Sequence, residues 1–200
     1  MRTATAGLIL GLFILLLPNP ARATDESGGE RGQDGTFFQL SLFPPLQLVD
    51  SELPVEGIRL GVVPINQAMA GFDVGLVTWT SENLAALQFG LVNIVGDNAD
   101  GVQFGSVNIV GRRGVGWQSA LLNIDAAGFV GFQQGGVNIV GSEHACVGLQ
   151  LGAVNYAYRM TGVQLGLVNL TPHLAGLQLG IVNYAGNSPL PVLPVANAAF

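Results

Sequence analysis

Apolar and polar positions across residues 57–184 repeat one phrase, Gly-apolar-Gln-apolar-Gly-x-Val-Asn-apolar, nine times. The copies begin at Gly57, Gly71, Ala86, Gly101, Gly116, Gly131, Gly148, Gly162 and Gly176, a spacing of 14 or 15 residues with one stretch to 17 before Gly148. Gln recurs at 88, 103, 118, 133, 150, 164 and 178, and Asn at 93, 108, 123, 138, 155, 169 and 183. The first two units are worn: Arg59 and Asp73 stand where Gln is expected, and Thr78 and a shifted Asn66 where Asn is expected. A fixed period means that every unit meets the same surroundings, normally by stacking on its neighbours, and this period is too short for a helical hairpin.

Val, Ile, Leu and Phe fill the units, while Gly, Asp, Asn, Ser and Pro collect between them, so each unit reads as strand. The alternation slips by one residue within the unit. In residues 162–170, Val163 and Leu165 share one face, but further on Val168 and Leu170 are the apolar pair. A bend at Gly166, where a side chain would restrict the backbone, brings all four inward and turns Gln164 and Asn169 outward or onto the bend. The predicted fold is all-β, a repeat β-solenoid with 14–15 residues per coil. Its coils lie about 4.8 Å apart, so nine make a rod roughly 43 Å long, with Asn side chains laddered along it.

The competing architecture is an outer-membrane β-barrel of about 12 strands, an even number of the kind bacterial barrels use. Against it stand the small residues Ser106, Gly136 and Ala153 after the second glycine, and only two Trp and three Tyr for two aromatic girdles. Antiparallel strands would also place the Asn of successive units at opposite membrane faces.

The organisation expected outside the repeats is a signal peptide at 1–23, a flexible leader at 24–36, an N-terminal cap at 37–56, the nine-unit repeat domain at 57–184 and a C-terminal cap at 185–200. Arg2, the apolar run 6–17 and Ala21-Arg22-Ala23 form the signal pattern, and the run is short of the roughly 20 residues that cross a bilayer. Pro44, Pro45 and Pro54 at one end, and Pro189, Pro191 and Pro194 at the other, suit caps, because proline cannot extend a strand ladder.

Charge narrows the partner class. The formal net charge is −6, there is no Lys, and removing Arg2 and Arg22 makes the chain more acidic still. Nucleic acid is excluded as a partner, since no basic patch is present to neutralise phosphates. A single cysteine, Cys146, leaves no disulfide framework.

Candidate chemistry is sparse. His144 lies two residues from Cys146, but no second pair at ligand spacing follows, and His173 stands alone. Cys146 reads as a small buried residue without an orienting base. The stretch 96–101 (GDNADG) lacks the distal Glu of a calcium loop and reads as a turn. Asp97, Asp125 and Glu143 fall in different connections, so nothing sets two carboxylates across a substrate. No catalytic, cofactor-binding or metal-ligating set is assigned and no cofactor is called for. The Gln row and the connections are the expected contact surface.

The GLQLGLVN-type units, the preceding segments LSLFPP and GIRL, and the closing PVLPVAN resemble a group of uncharacterised bacterial surface-repeat proteins over about residues 37–200. The resemblance implies an exported, envelope-associated protein and transfers no site residues. The expectation is an exported cell-envelope or surface repeat protein, in the periplasm, outer membrane or cell surface, with a structural or interaction role and an unidentified protein or envelope partner. An outer-membrane channel or scaffold barrel is the alternative.

Overall fold

Each unit is a strand that bends once and returns beside its own beginning. In the computed structural model, which describes residues 35–141 and 144–200, the coils of a β-solenoid stack in parallel. The signal segment and most of the leader lie outside the described residues.

The chain opens with β1 (Thr36–Phe43), β2 (Leu46–Gln47), β3 (Val55–Gly61) and β4 (Ile65–Asn66). The central coils are β5 (Met69–Thr80), β6 (Leu84–Val95), β7 (Ala99–Phe104), β8 (Val107–Val110), β9 (Arg113–Asp125) and β10 (Gly128–Val140). The last are β11 (Cys146–Ala157), β12 (Arg159–Thr171), β13 (His173–Ala185) and β14 (Val192–Ala199).

Repeat position pairs with repeat position. Gly131, Gln133 and Asn138 of β10 face Gly148, Gln150 and Asn155 of β11, so the 17-residue spacing is taken up in the connection and the register survives. The same matching joins β11 to β12 and β12 to β13. Parallel pairing between consecutive units leaves no antiparallel wall and no lumen, which removes the barrel alternative. At the ends, β1 adds to β3 in parallel with Gln39 beside Arg59, and β14 closes the far edge antiparallel to β13.

The bend falls where the slipped alternation placed it. Gly135 pairs with Gly152, the next residue is skipped, and pairing resumes at Val137 with Val154; in the fourth unit the strand splits there into β7 and β8. Glycine is needed at this corner because coils approach closely. A Cβ on Gly166 would overlap the carbonyl oxygen of Gly152 and lie 2.6 Å from Asn155 Nδ2. The left-handed backbone belongs instead to the first glycine of the unit, as at Gly162, where φ is +131°.

The apolar positions and the Gln lie on the opposite side from the sequence expectation, whereas the expected Asn ladder and the capping of the bend by Asn are present. Gln164 and Asn169 are fully buried, whereas Val163, Leu165, Val168 and Leu170 lie on the outer faces, half-exposed. The slip in alternation correctly separates the two sets of side chains; it does not say which set points in. The interior of these thin coils holds four columns: the Gln position, the Asn position, and two flanking columns. One flank carries Met69, Leu84, Phe129, Cys146, Met160 and Leu174, and the other carries Val95, Val110, Asp125, Val140, Ala157 and Thr171.

Candidate functional site

The buried Gln row is one continuous hydrogen-bonded column. Each Nε2 donates to the Oε1 of the preceding coil, from Gln178 to Gln164, Gln150, Gln133, Gln118, Gln103 and Gln88, at 2.7–2.8 Å. Parallel in-register stacking is what makes this possible, since it holds like amides one strand spacing apart and satisfies them without water. The expectation of the Gln row as a contact surface is therefore corrected: its side chains are 0–2% exposed.

The Asn column runs beside it with the opposite polarity. Asn93, Asn108, Asn123, Asn138, Asn155 and Asn169 each donate forward to the Oδ1 of the next Asn at 2.7–2.9 Å. Five of these Nδ2 groups also reach a backbone carbonyl at the corner of the next coil, those of Phe104, Gln134, Leu151, Leu165 and Leu179, at 2.9–3.1 Å. The bend frees those carbonyls from the strand ladder, so Asn caps it from within. That carbonyl demands an N–H from the preceding coil, which fixes the direction of the whole column.

At the N-terminal end the Gln column meets charge. Gln88 Nε2 donates at 2.8 Å to Asp73, an acceptor-only carboxylate, and this sets the direction of every later amide. Asp73 accepts in turn from Arg59 through Nε at 2.8 Å and Nη2 at 2.6 Å, both residues being fully buried. Arg59 also donates to the Trp79 carbonyl and to Thr80 Oγ1, each at 3.0 Å. The worn units are thus a buried ion pair occupying two places in the amide column. Opposite charges at one repeat position in adjacent units were the available signal. The C-terminal end has no such partner: Gln178 Oε1 and Asn197 Oδ1, side by side in the β13–β14 register, are buried and accept no hydrogen bond.

Asp125 lies at the end of β9, fully buried, rather than in a connection. It occupies the column that holds Val110 and Val140 in the adjoining coils, and accepts from Gln118 at 3.1 Å and Gln133 at 2.6 Å. Burial pushes its carboxyl well above the ordinary value, and the two amide hydrogen bonds offset only part of that. With Gly114 at the same level in the other flank, Asp125 separates the apolar interior into two clusters, one from Val55 to Val110 and one from Phe129 to Ala185. Cys146 belongs to the second cluster; burial, and then the charge of Asp125, push its thiol up, away from the reactive thiolate.

The other sequence candidates stay apart. His144 is exposed in a connection, His173 packs edge-on to Tyr158 with ring centroids 5.4 Å apart, and Glu143 lies outside the described residues. Among the described residues, no three of His, Cys, Asp and Glu gather to hold a metal.

Chemistry of recognition therefore falls to the outside. The corner carries Leu76, Leu91, Leu121, Leu167 and Ile181, 55–73% exposed. One face adds an aromatic run, Phe72, Phe89, Phe104, Trp117 and Phe132, with successive centroids 4.9–6.1 Å apart. These rings spend much of their π-surface on each other, which leaves poor platforms for a sugar. The other face carries Val or Leu followed by Ile, Tyr, Leu or Trp in coil after coil, as in Val92-Asn93-Ile94 and Val154-Asn155-Tyr156. A shallow groove of about 690 Å³ notches the corner where Gly136 and Ala153 replace larger residues, between Leu121 and Leu167 and beside Ser119 and Gln134.

Charged side chains keep to the opposite edge. Glu82, Asp97, Asp100, Arg112, Arg113 and Arg159 all lie in the connections or at the first residues of the strands; within the nine-residue phrases the only Asp, Glu or Arg side chains are Arg59 and Asp73, which point inward. The result is a rod with an amide interior, two apolar faces joined by an apolar corner, and one charged edge. Comparison of the chain with protein-family models, with curated proteins and with solved structures returns no match.

Proposed function

We propose that this is an exported cell-envelope repeat protein with a structural or interaction role and no catalytic chemistry. The carrying observation is the inverted polarity of the coil: interior amides satisfy one another, and large apolar side chains line both faces and the corner. Soluble monomers rarely expose contiguous apolar patches beyond about 300–600 Å². Here a single face of roughly 40 by 20 Å exceeds that by strand geometry alone. Such a surface exists to be covered by a partner.

Export is supported by the signal pattern of residues 1–23, and a non-catalytic role by the burial of Asp125 and Cys146, which puts the interior acid and thiol out of reach of substrate. Cell fractionation with N-terminal sequencing tests the reading. The expected result is a chain beginning near Thr24 in the envelope fraction; an intact Met1 in the cytosolic fraction overturns it.

A further inference from the structure

We infer that the partner covering these faces is the hydrocarbon of a lipid layer, with the rod lying flat, corner edge inward and connection edge in water. The inference rests on the envelope reading above and goes beyond it by naming the partner's chemistry.

Geometry favours lipid over a second copy of the chain. A standard interface covers about 800 Å² per partner, roughly one of these faces, and leaves the other face and the corner bare. Acyl chains cover all three together. A coil measures roughly 20 Å from corner to connections, at about 3.3 Å per residue, against about 15 Å for the hydrocarbon of one leaflet. The corner and most of both faces then sit in hydrocarbon, and the ionisable edge stays at the surface.

Polar backbone groups must be satisfied internally in lipid. Three N–H groups at or beside the corner meet that condition. Leu76 N–H donates to the Val62 carbonyl, Ser106 N–H to the Leu91 carbonyl and Leu122 N–H to the Ser106 carbonyl, at 2.9–3.1 Å. The freed carbonyls are capped by Asn, as at Leu151 and Leu165. The exposed edge offers no basic cluster, with Glu82, Asp97 and Asp100 set against Arg112 and Arg113. Binding is therefore apolar in origin, insensitive to salt and without preference for anionic headgroups.

The two tryptophans test the placement, because Trp117 stands on the aromatic face and Trp79 on the other. The full chain, processed as it is in cells, is mixed with phosphatidylcholine vesicles whose acyl chains are brominated. Trp117→Phe then reports Trp79, and Trp79→Phe reports Trp117. The expected result is flotation with the vesicles at low and high salt, with bromine quenching of both tryptophans. Quenching of neither, or of one alone, overturns the inference; lipid-free oligomers by light scattering alongside such a result identify a second copy as the occupant.

Leu121→Glu with Leu167→Glu, at corner sites away from the interior columns, should weaken flotation at least about tenfold. The melting temperature should be unchanged, and Arg112→Gln on the water edge should float normally. Equal flotation of the double variant overturns the inference. If that variant does not fold, the quenching of the two tryptophans decides. An envelope-located protein that neither floats nor quenches removes the lipid inference and leaves the proposed function standing, whereas a cytosolic chain removes the function.

Discussion

The two amide columns are built from the same group, yet only the Asn column caps the carbonyls at the corner. Each Asn bonds its neighbour and most also cap a corner carbonyl, whereas Gln103 and Gln150 hold only their neighbours in the column. The columns also point in opposite directions, so their amide dipoles oppose one another, unlike the aligned peptides of a helix. Burial of an amide ladder is thus tolerable on two conditions: every group between its ends is matched, and the sum of the dipoles stays small.

The sharpest way to break this comparison is Asn138→Ala. It strands two buried acceptors, the Oδ1 of Asn155 and the Leu151 carbonyl, and one N–H of the Asn123 amide, which keeps its bond to the Gln134 carbonyl. At about 1–3 kcal/mol for each unmatched group, we expect a loss of roughly 3–6 kcal/mol in chemical denaturation. A loss under about 1 kcal/mol would show that water replaces the amide freely.

Next comes Asp73→Asn, which leaves the Arg59 guanidinium buried without a counter-charge. Breaking a buried pair in this way costs about 3–4 kcal/mol. The double change Arg59→Gln with Asp73→Gln, which extends the column with neutral amides, should return close to the parent stability. If the double variant melts as low as the single one, the ion pair has a role beyond ending the column.

A volume-matched change in the other column, Gln150→Met, strands only the Nε2 of Gln164 and the Oε1 of Gln133. The expected loss is about 2–4 kcal/mol, below that of Asn138→Ala. Equal losses in parallel melts would erase the distinction between the columns.

The smallest effect has the opposite sign. The Asp125 carboxyl is held above its unfolded value, so the folded chain binds the proton more tightly and stability falls as pH rises from the ordinary carboxylate range through the folded pKa. Asp125→Val, matching Val110 and Val140, should stabilise by about 1–2 kcal/mol at neutral pH and flatten that slope. Thermal melts across the pH range read both outcomes; an unchanged slope would assign it to another group.

Period, register and corner were legible in the sequence, because a short repeat with glycine at fixed places admits few ways of stacking. The side facing inward was not. Apolar residues are normally taken as interior, but alternation only sorts side chains into two sets, and a ladder of like amides removes the usual penalty for burying the polar one. The sign was nevertheless present in the pattern of variation. Gln and Asn are held fixed, while the position after the first glycine runs through Ile58, Phe72, Leu87, Val102, Trp117 and Phe132. A hydrogen-bonded column accepts only the amide that continues it, whereas an outer column accepts many side chains. Asp125 was missed for a related reason: read as part of a connection, it concealed a break in the valine column on either side of it.

The handing of each amide hydrogen to an identical neighbour makes length a free variable. Duplicating or excising one whole module between Asp73 and Gln178 would leave both termini of the array meeting the groups they already meet, and would change the molecule by a single increment of about 4.8 Å. A partial module would instead misalign every column downstream. Apart from residues added in a connection, as before Gly148, the gene can therefore lengthen or shorten this protein only in whole modules, while the fittings at its two ends stay as they are.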